Sequence, residues 1–129
     1  MIIDSSAVIA ILRAEPEALE FARSIRFAPV RMIAAPTYLE TCMVLVHRKG
    51  EDAQRELDNL IDRTAILMGP FTATAAKTAV AAFLKYGKGH HRAGLNFGDC
   101  ISYALSKTEL MPLLFKGNDF RLTDVQAAS

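Results

Sequence analysis

Four carboxylates sit in surroundings unlike a solvated surface: Asp4, Glu40, Asp99 and Asp119. Asp4 follows the apolar start Met1-Ile2-Ile3 and precedes Ser5-Ser6 and an apolar helical stretch. Alone, it suits a helix N-cap, where a carboxylate accepts orphan backbone N–H groups and favours the helix dipole. Glu40 has Met43, Val44 and His47 at i+3, i+4 and i+7, and Leu39, Cys42, Leu45 and Val46 make its helix apolar nearly all round. That pattern predicts a buried helix, and an ionised acid on it costs several kcal/mol unless a cation pairs with it, either a metal ion or an arginine. Asp99 stands three residues after Asn96, the spacing of a capping box, but Cys100, Ile101, Tyr103, Ala104 and Leu105 mark its helix as a buried one. Asp119, in Lys116-Gly117-Asn118-Asp119, has the composition of a turn and alone signifies nothing more.

The four gain meaning from the elements that carry them. Short apolar runs alternate with helical patterns. Strands are expected at 1–3, 31–35, 65–68 and 112–115, with a short edge strand at 123–126. Helices are expected at 5–13, from Pro16 to about Arg26, from Pro36 through Lys49 to the stop at Gly50, and at 51–62, 72–86 and 98–107, with a loop at 87–96. This alternation predicts one three-layer α/β domain over 1–129, with a mainly parallel sheet of four or five strands flanked by helices. In such sheets functional groups gather beyond the carboxyl ends of the strands, and all four acids fall there on separate elements. Clustered carboxylates repel and raise one another's pKa, so the cluster calls for cations. An all-oxygen donor set selects Mg²⁺ or Mn²⁺ over Zn²⁺, and such ions commonly serve phosphate chemistry.

Composition narrows the field. Hydrophobic residues make up 51% of the 129 positions and charged residues 22%, which excludes a disordered chain. Cys42 and Cys100 are too few for a four-thiolate zinc site or a disulfide scaffold, which points to a reduced, cytoplasmic protein. No apolar run is long enough to span a membrane, and the N-terminus lacks the basic region and cleavage site of a signal peptide. The net charge of +1 excludes a polycation but hides an asymmetry. Glu51 to Asp62 holds five acids and one arginine, whereas no acid lies between Asp62 and Asp99, a stretch that carries Arg63, Lys77, Lys85, Lys88 and Arg92.

Five pieces in order carry a family resemblance: Met1-Ile2-Ile3-Asp4-Ser5-Ser6-Ala7, Ala35-Pro36-Thr37-Tyr38-Leu39-Glu40, Leu95-Asn96-Phe97-Gly98-Asp99-Cys100, Leu114-Phe115-Lys116-Gly117-Asn118-Asp119-Phe120 and Thr123-Asp124-Val125. With them the chain resembles, essentially end to end, a PIN-domain ribonuclease of the VapC type, the toxin of a VapBC toxin–antitoxin system. The resemblance implies that Asp4, Glu40, Asp99 and Asp119 form an acidic cluster for Mg²⁺ or Mn²⁺, with Asp4 and Asp99 as direct ligands and Glu40 and Asp119 acting directly or through waters. It implies that Ser6 supports the cluster. The implied activity is hydrolysis of RNA phosphodiester bonds, leaving a 3′-hydroxyl and a 5′-phosphate. The implied partners are a VapB antitoxin and a second copy of the chain. Relatives often carry two acids after the glycine of the fourth strand, and Asn118 replaces the first of them here. Which of Asn118 and Asp119 faces the metal is therefore open, and charge favours Asp119.

The basic stretch Lys85-Tyr86-Gly87-Lys88-Gly89-His90-His91-Arg92 leads to Asp99. It suits either RNA, with Lys85, Lys88 and Arg92 on phosphates and Tyr or His stacking on bases, or a flexible solvated loop. Adjacent His90 and His91 seldom aim at one ion. Cys100 is expected to be a buried, inert thiol. Met32, Met43, Met68 and Met111 are expected to fill core. Two other functions compete. A dehalogenase-like phosphatase needs Asp-x-Asp after the first strand, where Ser6 stands instead. A catalytically idle partner-binding domain would use the helix 51–62 and the apolar helix before it as a docking groove.

Overall fold

A computed structural model describes residues 1–128. The elements run β1 (Ile2–Ile3), α1 (Ser5–Leu12), α2 (Ala18–Phe27), β2 (Met32–Ala34), α3 (Ala35–Lys49), α4 (Asp52–Thr64), β3 (Leu67–Gly69), α5 (Ala73–Tyr86), α6 (Phe97–Glu109) and β4 (Leu113–Leu114), followed by a 3₁₀ turn (Asp119–Leu122). The sheet has four strands in the order β3-β2-β1-β4, and every pairing is parallel. In place of a fifth strand, Ala127 makes a single parallel bridge to Leu113.

Alternation along the strands builds the two faces. Ile2, Ala34 and Leu113 point into a core with Ala82, Tyr86, Ile101 and Leu105 of α5 and α6. Their neighbours Ile3, Ile33 and Leu114 point the other way, onto Val8, Phe21, Ile25 and Leu57 of α1, α2 and α4. The result is helices, sheet, helices. β3 starts at Leu67, two residues later than the apolar run suggests, because α4 continues to Thr64 and ends on Ala65 in the left-handed region. α2 likewise starts at Ala18 rather than Pro16, which stays in the preceding turn.

Two expectations about burial fail. α3 is not buried all round: it turns Thr37, Thr41 and Leu45 inward and leaves Leu39, Met43 and Val46 exposed. Its inner face is mostly small and β-branched, and the Thr41 hydroxyl satisfies itself on the Thr37 carbonyl, 2.7 Å away. Met43 and Met68 are exposed rather than core filler, since Met68 lies on the edge strand β3, while Met32 and Met111 pack against the core.

Parallel pairing places the carboxyl ends of β1, β2 and β4 along one edge. α6 precedes β4 and runs against it, so α6 begins at that same edge. The acids are thereby carried to one end of the sheet.

Replacing fully buried Ile33 with Ala is expected to reduce unfolding free energy by about 2–5 kcal/mol. Leu39→Ala, on the outward face of α3, is expected to change it by less than about 0.5 kcal/mol. Urea titration of both variants checks the burial of β2 and the outward facing of this part of α3.

Candidate active site

Asp4 leaves β1 and caps α1. Its carboxylate is 3% exposed and both oxygens are held: Oδ2 accepts from the Ser6 N–H at 3.0 Å and the Ser6 hydroxyl at 2.6 Å, and Oδ1 accepts from the Ser102 hydroxyl at 2.5 Å. Among the described residues no lysine or arginine forms a salt bridge with it. The Lys116 N–H donates to Ser6 Oγ at 3.0 Å, which ties the loop after β4 to the same network. The Lys116 ammonium fastens that loop a second time, through Glu15 at 2.5 Å and Glu17 at 3.2 Å.

Asp99 closes a capping box at the start of α6. Its Oδ2 accepts from the Asn96 N–H at 3.0 Å, and its own N–H donates to Asn96 Oδ1 at 2.9 Å. The capping role of Asp99 is thus realised, as is the N-cap role of Asp4. Neither uses up the carboxylate's charge. Burial pushes the Asp99 carboxyl up to about 6 against the downward pull of the Asn96 N–H, and the charges of Asp4, Asp119 and Glu40 add to the rise. Glu40 is half-buried, one turn into α3. Burial raises its pKa, the Ser5 hydroxyl bonded to it opposes the rise, and the Asp4 charge reinforces it. Asp119 opens the exposed 3₁₀ turn, whereas Asn118 lines a hollow with Glu17, Lys116 and Arg121.

The four acids therefore act on one another from four elements. They do not converge as a finished ligand set: among the described residues no three His, Cys, Asp or Glu side chains form a group able to hold a metal ion as they stand. The donor chemistry nevertheless suits a hard cation, because every donor is a carboxylate or hydroxyl oxygen and, among the described residues, none of the four acids forms a salt bridge.

Lys85, Lys88 and Arg92 are exposed, and the charges that act on Asp99 are those of Asp4, Asp119 and Glu40. Lys85 lies 5.0 Å from the Tyr86 ring centroid and acts on Asp124. The loop they occupy is ordered rather than slack. A Gly87–Leu95 bridge closes it, Ala93 and Leu95 anchor it in the core, and His91 Nδ1 accepts from the Ala93 N–H at 3.0 Å. His90 and His91 sit edge-on to Phe83 and Tyr86. Cys100 is buried, and burial raises its thiol pKa.

Sequence reasoning missed Ser102, Ser5, Lys116 and Gly98. Ser102 carries a faint signal, a hydroxyl one turn after Asp99 among the apolar residues of α6. Its partner, 98 residues away, is set by the fold alone.

The PIN domain family matches residues 1–126, a span that holds all four acids. A ribonuclease VapC of Mycolicibacterium smegmatis is 49% identical over 127 residues, covering 98% of both chains. Ribonuclease VapC30 of Mycobacterium tuberculosis is 46% identical over 125 residues, covering 97% of this chain and 95% of its own. The chain belongs to the PIN-domain family, among its VapC members. Solved structures agree on the PIN fold. The M. tuberculosis toxin VapC20, described as cleaving the sarcin–ricin loop, superposes with a TM-score of 0.79 at 20% identity, over 96% of this chain and 95% of that one. A toxin–antitoxin complex from Klebsiella pneumoniae superposes with a TM-score of 0.71 at 17% identity, over 95% and 92%.

The raised Asp99 pKa gives this PIN domain a definite pH behaviour without metal. The folded state holds the Asp99 proton up to about pH 6, above the usual aspartate range of the unfolded chain. The folded form thus binds more protons in that window, and Asp99's contribution to stability falls as pH rises through it. Asp99→Asn removes this group. The melting temperature of the metal-free protein is expected to fall relative to Asp99→Asn between about pH 4 and 6.5. Parallel curves in thermal scans across that range would contradict it.

Proposed function

We propose that this PIN domain, spanning 1–129, is a divalent-metal-dependent endoribonuclease that serves as the toxin of a type II toxin–antitoxin pair. The observation that carries the reading is the electrostatic coupling of Asp4, Glu40, Asp99 and Asp119 at one sheet edge, where among the described residues none of them forms a salt bridge. The ribonuclease names of relatives at 46–49% identity support it. Asp4 and Asp99 would hold Mg²⁺ or Mn²⁺ directly, with Glu40 and Asp119 as direct or water-linked ligands. Asp119 is preferred to Asn118 because its charge acts on Asp99. Bound there, the ion supplies activation of water and charge stabilisation for hydrolysis of an RNA phosphodiester, giving 3′-hydroxyl and 5′-phosphate ends.

The chain's own residues do the positioning. Ser6 and Ser102 fix both oxygens of Asp4, and the Asn96 cap fixes Asp99. The Lys116 clamp holds the loop that carries Asp119. Lys85, Lys88 and Arg92, with no acid near them in sequence, would hold RNA phosphates that the acids alone repel. The phosphatase reading loses ground here, because Ser6 serves Asp4 as a donor and no second carboxylate follows β1 at that position.

No helix among the described residues is long and apolar enough to cross a membrane, and both cysteines are unpaired, in keeping with a cytoplasmic protein. Leu39, Met43, Val80, Leu84 and the 83%-exposed Phe97 give this chain an apolar face on α3, α5 and the start of α6. A face of that kind marks a partner surface, here assigned to a second copy in a homodimer. The VapB-type antitoxin would inhibit at the acidic edge, through an arginine paired with Glu40 or Asp119.

Asp4→Asn and Asp99→Asn keep the capping geometry while removing charge. Both are expected to abolish Mg²⁺-dependent RNA cleavage in a folded protein. Replacing Lys85, Lys88 and Arg92 together with Ala is expected to weaken RNA affinity with Mg²⁺ affinity unchanged. The same replacement is expected to flatten the salt dependence of RNA binding by about one log–log unit for each phosphate no longer neutralised. Cleavage that survives both Asn substitutions would sink the assignment of these acids to the active site, whereas a wild type that cleaves no RNA would favour an idle partner-binding domain. An unchanged salt slope would place the RNA-holding cations elsewhere.

Sedimentation tests the partner surfaces. The protein is expected to dimerise, and Leu84→Glu to return it to a monomer that still binds antitoxin. A wild type that stays monomeric at every concentration rules out the dimer. Antitoxin bound only on the far face, with the acids open, rules out inhibition at the edge.

A further inference from the structure

Gly98 occupies the second position of α6, between the Asn96 cap and Asp99. Its backbone gives glycine no advantage, because its φ lies outside the left-handed region. A glycine inside a helix is less favourable than alanine, so another reason must hold it there. That reason is steric. A Cβ at position 98 would overlap the Glu40 carboxylate, falling on Oε2, 2.7 Å from Cδ and 2.8 Å from Oε1. No other atoms come as near. The Glu40 carboxylate therefore rests on the bare backbone of the first turn of α6. It also accepts from the Ser5 hydroxyl in the first turn of α1. Two helix starts, one after Asp4 and one before Asp99, thus grip the same carboxylate from two sides.

We infer that Gly98 is a positioning residue: its missing side chain is the seat that holds the Glu40 carboxylate between Asp4 and Asp99. Any side chain at 98 drives the carboxylate out of the seat. Because Glu40 ends in a flexible side chain, it swings away and the fold stays intact. The inference rests on the metal-site reading of Glu40 for its consequence, though not for the contact itself.

The test is a cycle of wild type, Gly98→Ala, Glu40→Ala and the double variant, followed by thermal melting without metal and by Mn²⁺ calorimetry. In the Glu40→Ala background, Gly98→Ala is expected to raise the melting temperature by about 3–5 °C, the ordinary gain of alanine in a helix. With Glu40 present, most of that gain is expected to vanish. Gly98→Ala is expected to weaken Mn²⁺ binding about tenfold, as Glu40→Ala does, and the double variant to bind no worse than Glu40→Ala alone. Equal thermal gains in both backgrounds would overturn the seat. Coupled melting with unchanged Mn²⁺ affinity in Gly98→Ala would overturn its role in the site. A wild type that binds no Mn²⁺ defeats the metal reading instead, and the thermal cycle still decides whether Gly98 seats Glu40.

Discussion

Burying the Asp4 carboxylate, which has no salt bridge among the described residues, is the demand that shapes the rest of the architecture. A charge in that position is tolerated only when its oxygens are bonded. The solution here draws on distant parts of the chain. Ser6 supplies two donors from the first turn of α1, and Ser102 supplies the third from the middle of α6. Ser6 in turn accepts the Lys116 N–H, and the Asp4 N–H donates to the Leu114 carbonyl at 2.9 Å. One carboxylate thereby joins β1, α1, α6 and the loop after β4. The same bonds that make the acid tolerable fix the spacing of the elements carrying the other acids.

The remaining acids follow a different rule. Asp99 and Glu40 are raised by burial first and by neighbouring acids after it, so placing full negative charge at this edge is electrostatically unfavourable. Glu40, held by Ser5 and lying against Gly98, acts on Asp99 through its charge.

The elements and their order were legible in the sequence because the apolar runs are short and sharply bounded, and because Gly50, Gly69-Pro70 and Gly117 punctuate them. The gathering of the acids followed from one topological rule about parallel sheets. The facing of α3 was not legible, since a helix apolar nearly all round carries no periodic signal, and its inner stripe of Thr37, Thr41 and Leu45 is set by close approach to its neighbours. Ser102 and Gly98 were hidden for a related reason. Each matters through one contact to a residue far away in the chain, and local pattern cannot report such contacts.

Whether the acidic edge is a metal site can be decided by introducing Mn²⁺ into crystals of the wild-type protein and locating it by its anomalous scattering. A peak is expected at the sheet edge within about 2.3 Å of carboxylate oxygens of Asp4 and Asp99, with Glu40 and Asp119 turned toward it directly or through water. Mn²⁺ bound elsewhere, or an empty edge at saturating metal, would contradict the assignment of these acids to a metal centre.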